Sequence, residues 1–217
     1  METRTALVAG ASGLVGGLLL DSLLESPLYR EVCSLGRRPV SKQHPRLTQR
    51  TVDFTRLEGE DLPAADDAFC CLGTTIKKAG SQEAFRAVDH DAVLAFAKAS
   101  RKAGARRFLL VSALGADSRS RIFYNRVKGE TEEALAGMGF DTLVIARPSF
   151  LVGDRKALGQ PERGGEKLAL RVSNWLAPLI PDNYRSVDAG AVARALLKAV
   201  PASSGQRVMP SSELRRI

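Results

Sequence analysis

The chain has 217 residues, 44% of them hydrophobic, with 32 Lys and Arg against 24 Asp and Glu, a formal charge of +8 and a pI near 9.8. This length and apolar content suit one α/β domain with a modest extension and exclude a disordered chain. The longest apolar run, Leu14 to Leu24, is broken by Gly16, Gly17, Asp21 and Ser22, and Met-Glu-Thr-Arg-Thr lacks the regions of a signal peptide, so a cytoplasmic protein with no membrane partner is expected. Three cysteines and two histidines show neither disulfide-framework nor metal-ligand spacing; inert buried thiols and no metal site are expected. The basic residues are scattered in pairs such as Arg37-Arg38 and Arg106-Arg107, without interleaved aromatics. No nucleic-acid partner is expected, and the positive surface is read as one that attracts an anionic cofactor.

In chain order, short β-rich runs alternate with helical stretches. Thr5 to Ala9 reads as a strand and Leu14 to Glu25 as a helix. Strands follow at Glu31 to Leu35, Arg50 to Phe54 and Ala68 to Leu72. Ser81 to Ala103 is helical, with Ser81 as its cap and Gly104 as its stop. Arg107 to Val111 is a strand, Tyr124 to Met138 a helix closed by Gly139, and Thr142 to Ala146 a strand. From Gly153 to Asn183 the alternation lapses, save for one helical patch from Glu166 to Leu179. Asp188 to Val200 is a last helix and Gln206 to Met209 a final strand. The pattern predicts a Rossmann-type, doubly wound parallel sheet with helices on both faces. The whole chain reads as one NAD(P)-binding domain, with residues 149–187 as a small substrate-lobe insertion.

Gly10-Ala11-Ser12-Gly13-Leu14-Val15-Gly16 links the first strand to the first helix. Glycines at 10, 13 and 16 permit a tight turn, close approach of backbone to a pyrophosphate, and close helix–strand packing. The helix N-terminus then offers N–H groups and partial positive charge to phosphates. At the end of the second strand, where a carboxylate would favour NAD, stand Arg37 and Arg38. Guanidinium groups there fork onto a 2′-phosphate, so NADP is expected over NAD. Asp53, followed by Phe54, could accept the adenine amino group.

Ser112 ends the fifth strand, and Tyr124-Asn125-Arg126-Val127-Lys128 opens the next helix. Tyr124 and Lys128 share a helix face at i, i+4. A neighbouring ammonium favours tyrosinate, fitting Tyr124 to pass a proton to or from a substrate oxygen. Lys128 could also hold the nicotinamide ribose and Ser112 the carbonyl oxygen. The catalytic set is therefore Ser112, Tyr124 and Lys128, acting on a small carbonyl or alcohol. An NADP sensor with little turnover is the alternative.

These motifs resemble the atypical and extended short-chain dehydrogenase/reductases. The resemblance rests on Gly10-x-x-Gly13-x-x-Gly16, on Ser112 with Tyr124 and Lys128, on Arg147-Pro148-Ser149, and on Val187-Asp188-Ala189-Gly190-Ala191. A narrower likeness is to the Tat-interacting-protein-like oxidoreductases, carried by Cys70-Cys71-Leu72-Gly73-Thr74-Thr75, Gly115-Ala116-Asp117 and the stretch from Tyr124 to Glu130. It implies an NADP-binding fold with Leu72, Gly73 and Thr74 near the nicotinamide half, and with Arg147-Pro148 at the entry to the substrate lobe and, like Tyr124 and Lys128, among the cofactor-binding residues. Pairing into a homodimer is common in the wider superfamily. Many of its members carry an Asn in the fourth helix; this chain reads Val88-Asp89-His90-Asp91, with Asp89 as the candidate stand-in.

Overall fold

A computed structural model describes residues 3–153 and 181–217; the helical patch expected from Glu166 to Leu179 lies outside them. Among the described residues, seven strands form one parallel sheet: β1 (Arg4–Ala9), β2 (Tyr29–Gly36), β3 (Leu47–Thr51), β4 (Asp67–Cys70), β5 (Arg107–Val111), β6 (Thr142–Arg147) and β9 (Gly205–Pro210). Their order is β3-β2-β1-β4-β5-β6-β9. Two short strands, β7 (Leu151–Val152) and β8 (Val187–Asp188), pair separately. The chain moves outward from β1 to β3, then returns to place β4 on the other side of β1. The crevice for a ligand opens at that reversal, beyond the carboxyl ends of β1 and β4.

Both faces of the sheet are covered, which explains why the strands read as near-continuous apolar runs. Side chains alternate across β1: Ala6 and Val8 face one core, Leu7 and Ala9 the other. The first core is closed by α1 (Leu14–Glu25) and α6 (Ala189–Ala202), through Leu19, Leu23, Val192 and Leu196. The second is closed by α4 (Ala92–Lys102) and α5 (Phe123–Ala136), through Val93, Phe96 and Leu135 against Phe108 and Leu110. Each such fully buried Leu, Val or Phe contributes about 1.5–3 kcal/mol of transfer free energy. At the amino ends of the strands the fully buried Asp67 accepts from Arg4 at 2.6 and 2.7 Å and from Tyr29 Oη at 2.9 Å, tying β1, β2 and β4 together.

Several boundaries differ from those expected. The third strand lies three residues earlier than predicted, because Asp53 Oδ1 accepts from Thr55 N and Oγ1 and turns the chain out of the sheet. Phe54 then drops into the second core. The fourth strand ends at Cys70, so Cys71 and Leu72 already belong to the loop above β1. The long helix is three pieces: α3 (Gln82–Arg86), a π-helical turn (Ala87–Asp91) and α4. Ser81 does cap it, accepting from Ala84 N at 3.1 Å. The helix α5 starts one residue early and stops at Ala136, two before the prediction. Two four-residue helices, α2 (Ile76–Ala79) and α7 (Ser211–Leu214), have too little periodicity to be read from sequence.

Candidate active site

The turn after β1 is built for close backbone approach. Gly10 has φ +88°, and a Cβ there would lie 2.5 Å from the backbone carbonyl of Cys71. A Cβ on Gly16 would come within 2.1 Å of Gly10 O, while Gly13 N donates to that same oxygen at 2.9 Å. The first turn of α1 carries no acidic residue and no side-chain cap from Gly13. An anion can therefore meet helix-terminal N–H groups without charge repulsion. Leu14 and Val15 send their side chains into the core, which leaves only their backbone to face an anion; Ser12 is exposed. The cradle thus fits a dinucleotide pyrophosphate.

Past the end of β2, Arg37 and Arg38 are exposed, and no hydrogen bond or ion pair among the described residues occupies either guanidinium. Asp53 is exposed beyond β3. The hydrogen bonds from Thr55 hold its carboxyl below the usual carboxylate range and occupy one of its two oxygens.

The loop from Leu72 to Thr74 and α5 converge at Lys128. Its Nζ lies 2.7 Å from Asp89 Oδ1, with side-chain exposures of 6% and 0%. Asp89 Oδ2 accepts from Thr74 N at 2.8 Å. A Cβ on Gly73 would sit 3.4 Å from Asp89 Oδ1 and 3.8 Å from Lys128 Nζ, so the loop passes directly over the pair. The π-helical turn presents Asp89 here; such turns are frequent at functional sites. Thr131 Oγ1 anchors that turn by donating to Asp89 O at 3.0 Å. Burial works to lower the Lys128 pKa, but attraction to Asp89 and Tyr124 outweighs it and the ammonium is held above its ordinary range. One turn earlier, the Tyr124 ring packs on Phe85 at 5.3 Å between centroids, and Phe85 also meets Phe123 at 5.8 Å.

Ser112 joins a different partner. Its hydroxyl donates to Glu132 Oε1, and Glu132, 4% exposed, forms a forked ion pair with Arg147. The Ser112 proton is thus committed within the protein, leaving its oxygen as an acceptor. Arg147 spends its fork on Glu132, and Pro148 is buried beside it.

The match to known proteins agrees with this geometry. Residues 10–172 match the NAD(P)H-binding family, covering more than half of the chain. The chain belongs to that family. It is 38% identical to Protein HTATIP2 of Rattus norvegicus over 216 residues, covering 95% of this chain and 85% of that one. It is also 38% identical over 152 residues to the mitochondrial Protein FMP52 of Eremothecium gossypii, covering 70% and 68%. Among solved structures, MoeE5 in complex with UDP-glucose and NAD superimposes with a TM-score of 0.70 at 19% identity, over 94% of this chain and 75% of that one. A short chain dehydrogenase family protein from Francisella tularensis gives 0.70 at 14%, over 98% and 99%. At those identities the likeness is one of fold: a parallel sheet with helices on both faces.

Within this NAD(P)H-binding framework, two residues escaped the sequence reading. Glu132 lies four residues after Lys128, a spacing that puts it on the same helix face, and that signal was available. Phe85 lies four residues before Asp89, but only the π-helical turn brings both to α5, and a π turn leaves no readable period.

Proposed function

We propose that the chain is an NADP-dependent oxidoreductase that interconverts a small carbonyl compound and its alcohol. The observation that carries this reading is the Tyr124–Lys128–Asp89 cluster lying under the Leu72–Thr74 loop, whose neighbour Cys71 touches the Gly10 turn. A reduced nicotinamide held there would supply the hydride, two electrons and one hydrogen nucleus, that the carbonyl carbon needs. Tyr124 gives its phenolic proton to the carbonyl oxygen. Lys128 keeps a positive charge beside the phenol, and Asp89 fixes the ammonium in place. Ser112 Oγ, its proton held by Glu132, accepts from a hydroxyl in the pocket. Gly10, Ser12, Gly13, Leu14, Val15 and Gly16 would hold the pyrophosphate. Arg37 and Arg38 would hold the 2′-phosphate, Asp53 with only the backbone of the core residue Phe54 would border the adenine, and Arg147-Pro148 would lead from the cofactor toward the substrate.

NADPH absorbance against aldehyde and ketone panels tests turnover. Activity undiminished in Tyr124→Phe sinks the mechanism. A cofactor sensor is the second reading, favoured by the commitment of Ser112 to Glu132. It requires NADPH-dependent partner capture with no turnover. No helix among the described residues is long and apolar enough to cross a membrane. The fungal relatives carry a mitochondrial name, so the proposed cytoplasmic location is tested by cell fractionation.

A further inference from the structure

Among the described residues, the large apolar side chains left exposed are Ile76 (39%), Ile122 (61%), Phe150 (80%), Tyr184 (60%) and Val208 (39%). Val208 lies on the edge strand β9. The other four gather on segments at the carboxyl edge of the sheet, where ligands bind in this class of fold. Ile76 lies two residues after Thr74, whose N–H is held by Asp89. Ile122 precedes Phe123 and Tyr124 at the start of α5. Phe150 follows β6, and its carbonyl accepts from Val187 N at 2.8 Å. That bond brings the Tyr184 turn alongside Phe150, and Ser149 Oγ donates to Arg185 O beside it. Exposed apolar surface that concentrates at one place marks a binding surface, whereas isolated exposed residues do not.

Three polar side chains beside Phe150 and Tyr184 are already engaged. Ser149 is taken by Arg185 O and Ser211. Asn183 Oδ1 accepts from Ser212 N at 3.2 Å. Asp182 pairs with Arg215 and Arg185. A polyhydroxylated substrate needs several hydrogen-bonding groups free to face it, since unpaired buried polar groups are costly. The wall behind Tyr124 is aromatic as well, through Phe85 and Phe123.

We propose that the substrate is an apolar carbonyl compound or its alcohol, received by Ile76, Ile122, Phe150 and Tyr184, and not a sugar or other polyol. This inference rests on the oxidoreductase reading above. The test uses the full chain saturated with NADPH and straight-chain aldehydes from butanal to nonanal, with glyceraldehyde as the polar comparison. The expected result is a kcat/KM that rises about twofold to fourfold per added methylene, as for a chain moving from water to an apolar wall. Phe150→Ser and Ile122→Ser should flatten that rise, and Val208→Ser on the far edge should leave it intact. In parallel, calorimetry of butanol, hexanol and nonanol on the NADP-loaded protein reads binding without turnover. It should show the same chain-length gain and its loss in the two variants. A flat series in both measurements, or glyceraldehyde preferred over nonanal, overturns the substrate class while leaving the cofactor reading standing. Failure of NADPH itself to bind overturns both.

Discussion

Lys128 Nζ and Asp89 Oδ1 form an ion pair of 2.7 Å in which both side chains are almost wholly buried. Removing one partner strands a charge in the interior, at a cost of about 3–5 kcal/mol. Lys128→Met and Asp89→Leu should each lower the urea midpoint sharply. The double variant should recover most of the loss, because two apolar residues replace two charges. NADPH affinity should not recover with it. Strictly additive single losses would remove the pair from the account.

Gly10 and Gly16 leave no room for a methyl group. Gly10→Ala meets the Cys71 carbonyl and an unfavourable φ, and Gly16→Ala meets Gly10 O. Gly10→Ala should cost about 2–4 kcal/mol from strain and overpacking, and Gly16→Ala about 1–3 kcal/mol from overpacking. Binding of 2′,5′-ADP should fall together with stability. Melting curves and calorimetry on both variants check this, and a Gly16→Ala protein of native stability and affinity would contradict the described turn.

Arg37 and Arg38 should set cofactor preference without touching stability, since neither is buried. Loss of a charge-assisted pair to a phosphate is worth about 1.5–3 kcal/mol. The double Ala variant should therefore lose roughly tenfold or more in NADPH affinity and little in NADH affinity. Equal losses for both cofactors would place the 2′-phosphate elsewhere.

Glu132→Gln keeps an acceptor for Ser112 but removes the charge that Arg147 grips. The expected loss is about 1–3 kcal/mol. Arg147→Met should cost more, because it leaves the nearly buried Glu132 carboxylate without its cation. Thermal unfolding ranks the two, and the opposite order would count against the forked Glu132–Arg147 pair as the contact that matters.

Alkaline pH should weaken the fold. Burial pushes the Cys33 thiol up to about 11 and Cys70 up to about 12, and raises Cys71 and Tyr29 further still. An unfolded thiol ionises near 9.0. Between those values unfolding releases protons, so stability is intact below about pH 9 and falls as pH rises, by about 1.4 kcal/mol per pH unit for each such group. The Lys128–Asp89 pair works in the same direction, its contribution fading as pH climbs through the raised Lys128 value. Urea midpoints from pH 7.5 to 10.5 check this; a level profile over that range would count against buried, protonated thiols.

The sheet was legible because its strands are apolar on both faces and their helices start and stop at Gly, Ser and Asp. The strand from Arg107 to Val111 and the helix from Leu14 to Glu25 came out residue for residue. Arg50 to Phe54 did not, since Asp53 turns the chain through a side-chain bond that periodicity cannot weigh against a β-rich run. In the candidate site, the i, i+4 spacing of Tyr124 and Lys128 was visible in the sequence, Asp89 was pointed to only by the family resemblance, and the ion pair that joins Asp89 to Lys128 was not visible at all. The engagement of Ser112 was not readable: its partner is twenty residues away, and only the packing of α5 on β5 and β6 decides which hydroxyl face is used.

The turn at Gly10 and the arginines at 37 and 38 differ in what change would cost the chain. The turn is locked between backbone atoms and tolerates no side chain. The arginines stand beyond the last residue of β2, on exposed chain that no core residue depends on. If Arg37 and Arg38 grip the 2′-phosphate as proposed, phosphate anchoring is a fixed part of the fold, while the choice between two redox currencies is left to a surface segment that a lineage can alter without rebuilding the domain.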